Sequence, residues 1–183
     1  QAANKLLRRS EQIIWDIPFI LFDRDWTEMR TAIRRLIQAG FANFRLNNLS
    51  HFPLFDGQQG LKLFSSFRLF SLNSQAISAW AELGISESEL YIEDDRANLA
   101  DLLRRKLPIE TAITVYASVP LITSRIAIKN VRSDSPVLSD RDDAYRVQQR
   151  QGLTWLNSET DFSFIANMNE LQSFGCANFI VDL

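Results

Sequence analysis

The chain has 183 residues, 46% of them hydrophobic and 23% charged, with a formal net charge of -2 and a single cysteine. That is enough for one domain with a sizeable core, taken as residues 1–183. It excludes an overall basic field for nucleic acid, an internal disulfide and a multi-cysteine metal site within the chain. No apolar run approaches the ~18 residues that a membrane span requires, so no membrane association and a cytoplasmic location are expected. The basic clusters Arg8-Arg9, Arg34-Arg35 and Arg104-Arg105-Lys106 fall on expected helix surfaces or ends and are read as solvated.

In chain order, the start "QAANKLLRRSEQ" lacks Met, as expected of a piece of a longer protein. A strand is predicted over Ile17 to Phe22. In "DWTEMRTAIRRLIQAG", Trp26, Met29, Ile33, Leu36 and Ile37 recur at helical spacing, and Gly40 stops the helix. A strand over Phe41 to Leu46 follows. "NNLSHFPLFDGQQG" (47 to 60) is irregular, with turns at Pro53 and Gly57. The next strand is placed at Leu69 to Leu72. Ahead of Gly84, a helix carries Ala76, Ile77, Trp80 and Leu83 on one face, with Asn73 or Ser74 as its N-cap. Strands at Leu90 to Ile92 and Ala112 to Tyr116 flank a helix over "DRANLADLLRRK". Gly175 and a strand at Phe179 to Val181 close the chain.

Short apolar strands alternating with amphipathic helices predict an α/β fold. Six strands are too few for a complete eight-stranded barrel, so the expectation is a partial TIM-like (β/α) barrel of parallel strands. Residues 118–160 break the rhythm: "SDSP" and "SDRDD" are turn chemistry, while "RIAIKNV", "YRVQQR" and "LTWLN" read as short strands. They predict a small antiparallel β insertion after the fifth strand. Phe41, Phe44, Phe64, Phe67 and Phe70 are expected to fill the core.

In a parallel barrel the C-terminal strand ends point into the site. That rule selects Asp23, Arg45 to Asn48, Asn73, Glu93 to Asp95, Tyr116 and Asp182, a set able to hold a polar ligand or supply a general acid and base. The same positions also suit helix capping, which is the preferred reading for Asp25 and Asp95. For Asn73 and Glu93 both roles stay open. His51 reads as a surface or loop-packing histidine, since no "GxSxG" elbow accompanies it. Cys176 follows a helix C-terminus, the wrong dipole end for a reactive thiolate, and reads as a buried inert thiol. "GxGxxG" and "GxxxxGK[ST]" are absent.

Several segments in order carry a resemblance: "FANFRLNNLSHFPLF", "FRLFSLNSQAISAWAELGISESELYIEDD", "ITVYASVPLITSR", "VLSDRDDAYRV" and "LTWLNSETDFSF". Together they are similar to the C-terminal half of the barrel region of the peptidase U32 family, the collagenase-like peptidases. The resemblance covers nearly the whole chain. It implies a peptidase site with Glu93 as catalytic acid or base. It implies substrate contacts from Asn73, Tyr116, Arg125, Asp140, Arg141 and Asn157, beside the motif proline Pro120. Relatives in that family hydroxylate RNA bases or a quinone precursor with a cysteine-bound iron–sulfur cluster. "SVPLITSRIAIKNVR" has no cysteine, and Ala117 and Ile122 stand where Gly and Met are usual, so no cofactor is expected. The alternatives are a non-catalytic RNA- or protein-binding module, part of a hydroxylating enzyme that has lost its cluster cysteines, or a half-barrel completed by a second copy or by a preceding N-terminal half.

Overall fold

The computed structural model describes residues 6–126, 137–138, 144–150 and 152–183. They condense into two compact units, residues 1–113 with 172–178, and residues 114–171 with 179–183. The fold is mixed α/β, a partial (β/α) barrel with six parallel strands and a small separate antiparallel sheet.

The first unit runs β1 (Ile14–Asp16), α1 (Trp26–Gln38), β2 (Asn43–Leu46), β3 (Lys62–Ser65), α2 (Ser74–Glu82), β4 (Ile85–Glu89), α3 (Arg96–Arg104) and the first half of β5 (Glu110–Ala117). Each strand pairs in parallel with the next, β1 through β5. An order that follows the chain means that every crossover steps the same way, as in barrel winding; a doubly wound sheet reverses direction. Alternation along β2 sorts its two faces. Phe44 and Leu46 are fully buried and join Ile33 of α1, Ile85 of β4, Leu54 and Phe55 in one apolar cluster. Asn43 and Arg45 lie on the opposite face.

The helix stops fall where expected. Gly40 takes φ 96° and Gly84 φ 87°, conformations that a Cβ would strain. After α1, Gly40 N–H donates to the Ile37 carbonyl and Phe41 N–H to the Leu36 carbonyl, the two bonds of a Schellman closure. Asn73 and Asp95 cap α2 and α3. The Ala76 N–H donates to Asn73, and the Ala97 and Asn98 N–H groups donate to Asp95. Asp25 occupies the cap position of α1 but accepts no capping bond through its side chain.

Three strands lie upstream of their expected places. β1 ends before Pro18, which has no N–H to give a ladder. The apolar run at 69 to 72 is not a strand: Phe67–Leu69 form a 3₁₀ turn, and only Ser71 makes an isolated parallel bridge, to Leu90. The ladder is made instead by Lys62–Ser65. β4 is "ISESE", directly after Gly84, and not Leu90 to Ile92. Residues Leu49–Leu54 of the irregular segment form a 3₁₀ turn, capped by Asn48.

In the second unit, the end of β5 pairs antiparallel with β10 (Phe162–Ser163). β6 (Pro120–Ser124), β7 (Val137–Leu138), β8 (Ala144–Arg150) and β9 (Leu153–Ser158) form the antiparallel sheet in the order β6-β9-β8-β7. "YRVQQR" lies in β8 and "LTWLN" in β9, as expected. Arg125 and Ile126 lie beyond β6, outside a strand, and 127–131 lie outside the described residues. α4 (Met168–Phe174) and β11 (Asn178–Val181) follow, and β11 pairs with β5. No helix among the described residues is long and apolar enough to cross a membrane.

Candidate functional site

The polar face of the first unit's sheet carries a charged network at the C-terminal strand ends. β1 and β2 place Asp16 and Arg45 in register. Arg45 Nε donates to Asp16 Oδ1 at 2.7 Å, and Arg45 Nη1 lies 3.7 Å from Glu89 Oε2 at the end of β4. Glu89 is 2% exposed and also accepts the Phe67 N–H at 3.1 Å. Just past β2, Asn47 Nδ2 donates to Asp16 Oδ1 at 2.8 Å and to the Ile17 carbonyl at 2.6 Å. Arg68 Nη1 donates to Asn47 Oδ1 at 3.3 Å, while its guanidinium lies over the rings of Phe67 and Phe19. Carboxylates and guanidinium groups alternate, so each charge is held by an opposite one or by an amide. The arrangement is cross-linked through these bonds and able to orient a polar ligand.

His51 buttresses this network from the 3₁₀ turn. It is buried, and its Nδ1 accepts the Asn47 N–H at 3.2 Å, which leaves the proton of the neutral ring on Nε2. Burial lowers its pKa from 6.5 to about 4 against the opposing pull of Asp16. The loop-packing role expected for His51 is the one observed.

Beyond β3 and β4 lies a second group. Phe70 is 59% exposed and has φ 57°, the one positive φ among the described non-glycine residues. It is not core, unlike Phe41 and Phe44, because the 3₁₀ turn at 67–69 throws it outward. Its ring centroid is 5.0 Å from that of Tyr91. The Tyr91 hydroxyl donates to Glu93 Oε2 at 2.8 Å, a bond that pushes the phenol above its usual range. Asn98 Nδ2 donates to the Leu72 carbonyl and to Asp94, tying together the segments that follow β3 and β4.

The expected site residues therefore divide. Asn73 and Glu93 belong to the first unit, where Asn73 Oδ1 is used in capping α2. Tyr116, Arg125 and Asn157 belong to the second. Tyr116 donates to Asp161 at 2.5 Å, which raises the phenol's pKa. Asn157 Nδ2 donates to Ser118 Oγ at 3.3 Å. Arg125 is exposed. Asp140 and Arg141 lie outside the described residues. Asp16, Glu89, Arg68, Phe70 and Tyr91 were not among the candidates. The legible signal was "SESE", with Glu87 and Glu89 two apart in a strand and hence on one face.

The opposite, N-terminal ends of β3 to β5 border a cleft of about 630 Å³ lined by Lys62, Phe64, Glu87 and Glu110 among others. Asn178 Nδ2 donates to both carboxylates, at 3.2 and 3.4 Å. Burial, then the charges of Glu110 and Glu89, raise the Glu87 pKa. In barrels this end serves stability rather than chemistry.

No group of three or more His, Cys, Asp or Glu among the described residues could hold a metal. The lone Cys176 is buried and donates its thiol proton to the Asn178 carbonyl, and burial pushes its pKa up. This chain's residues do not fit a cysteine-bound iron–sulfur cluster. Native protein should resist thiol reagents such as Ellman's reagent for as long as it stays folded. Rapid labelling without denaturant would contradict a buried, inert thiol.

Comparison with family models, curated proteins and solved structures finds no match for the chain. The class that the fold defines is a partial (β/α) barrel with its charged network at the C-terminal strand ends.

Proposed function

We propose that the chain is the substrate-binding part of a peptidase of the collagenase-like type, holding a peptide across the C-terminal ends of its parallel strands. The observation that carries this reading is the sequential order β1 to β5, which gathers Arg45, Glu89 and the segments bearing Phe70 and Glu93 at one end of the sheet. Arg45 and Arg68 suit carbonyl or carboxylate groups of a peptide. Glu93, exposed and oriented by Tyr91, is the base that would take a proton from an attacking water. A peptide fits better than RNA, because the Glu93 carboxylate that Tyr91 holds beside the aromatic pair repels phosphate. A cytoplasmic protein whose barrel is completed by a further segment or a second copy belongs to the same reading.

The test is incubation with a mixed peptide library and product analysis by mass spectrometry, comparing the parent chain with Glu93→Gln. Loss of a general base should slow cleavage by roughly 10²–10⁴-fold. Unchanged cleavage in the variant would remove Glu93 from the mechanism. Retained peptide binding with no cleavage by either protein would favour the binding-module reading, which the use of Asn73 as a helix cap already supports.

A further inference from the structure

We propose that Phe70, Tyr91 and Glu93 form a subsite for a basic side chain, a guanidinium or ammonium group presented by a bound peptide. The ligand's identity as a peptide rests on the reading above; the cation chemistry rests on the geometry alone.

Three observations converge. First, Phe70 holds an apolar ring in solvent in a backbone conformation that disfavours it. It closes the 3₁₀ turn with φ 57° and ψ 54°, the left-handed region where Gly or Asn is the ordinary occupant. A bulky residue persists there only where the surroundings over-determine it, and such outliers concentrate at ligand sites. Core packing does not explain it, since the ring is 59% exposed. Second, the Phe70 and Tyr91 rings pair at 5.0 Å with 36° between their planes. The pair offers π-faces whose negative quadrupole attracts cations. Third, the Tyr91 hydroxyl fixes the Glu93 carboxylate beside that pair at 2.8 Å.

Two aromatic faces with one oriented carboxylate match a cation with an apolar stem. The stem of Lys or Arg lies along the rings while the head meets the carboxylate. A plain apolar ligand would bring no countercharge to Glu93, and an anion would be repelled by it. Among the described residues the guanidinium of Arg68 is already over Phe67 and Phe19, and none lies over Phe70 or Tyr91. No cation of the described residues fills the subsite.

The experiment compares two blocked pentapeptides, one with a central arginine and one with citrulline, its neutral near-isostere. Calorimetric titration measures binding to the full chain, and mass spectrometry follows cleavage of the same peptides. The arginine peptide should bind about tenfold more tightly, and the preference should vanish in Phe70→Asn. Asn accepts the left-handed backbone, so this variant should unfold at a temperature no lower than the parent, which circular dichroism verifies. Equal binding of the two peptides, a preference that survives Phe70→Asn, or no binding at millimolar peptide would overturn the subsite. So would preference for a short oligonucleotide over the arginine peptide. Selective binding without cleavage would keep the subsite and remove the peptidase reading. Cleavage with no preference for arginine would do the reverse.

Discussion

Replacing Arg45 with methionine should destabilise the chain by about 3 kcal/mol, well beyond what a surface ion pair is worth. The reason is the asymmetry between its two partners. Asp16 has half its side chain in water, so losing Arg45 costs it little. Glu89 is 2% exposed and lies 3.7 Å from the guanidinium. Without Arg45 its charge would stay buried with the Phe67 N–H still donating to it but with the Arg45 guanidinium gone. Breaking a buried pair on one side is expensive, because the remaining charge stays out of water with part of its compensation removed. Methionine keeps most of the stem volume, so a packing defect contributes little. The double variant Arg45→Met with Glu89→Gln should therefore recover more than half of the loss. Urea unfolding of the four proteins gives the coupling directly. Additive effects would mean that the two side chains act independently, and the charged network would no longer be a unit.

Much of the barrel grammar was legible because single residues carry it. Gly40, Gly84 and Gly175 all take positive φ, so their place after helical patterns marks helix ends. Asn73 and Asp95 could be read as caps because their short side chains reach the free N–H groups one turn on. Strand positions were less legible. "FSSFRLF" mixes Phe and Leu with Ser and Arg without a strict two-residue alternation to fix a register, so the sequence does not mark the ladder at Lys62–Ser65 over the stretch after it. "ISESE" contradicts strand propensity with two glutamates, yet it is a strand because the face opposite Ile85 is polar and bordered by Arg45 and Asn178. Misplacing these strands hid Glu89 and Asp16 from the strand-end rule. Arg45, at the end of a correctly placed strand, was found. The aromatic pair was illegible for a different reason. Nothing local says that Phe70 adopts a left-handed conformation that its type disfavours; only the tertiary fold imposes it.

Acid should weaken this fold through one side chain, His51, before general carboxylate protonation takes over. Its pKa falls from 6.5 to about 4 on folding, chiefly because burial penalises the imidazolium. The folded value is depressed, so the stabilisation is fully present above pH 6.5, where both folded and unfolded chains carry a neutral ring. Below 6.5 the unfolded chain takes up a proton that the folded one refuses. Stability is then lost as pH falls, until about pH 4, where the folded ring also protonates. The interval corresponds to about 3 kcal/mol, a large part of an ordinary domain's stability. The imidazolium would also present an N–H to the Asn47 N–H that now donates to Nδ1, so protonation breaks the bond that holds Asn47 beside Asp16. Acid should thus loosen the charged network as well as the turn. His51→Gln should cost about 1 kcal/mol at pH 7 and flatten the dependence between pH 6.5 and 4. Subtracting its urea midpoints from those of the parent at pH 7, 5.5 and 4.5 removes the carboxylates common to both. Because the chain has one histidine, its imidazole proton resonances report the folded pKa without assignment ambiguity. A folded value near 6.5, or parallel loss of stability in parent and variant, would show that His51 is not buried as a neutral ring.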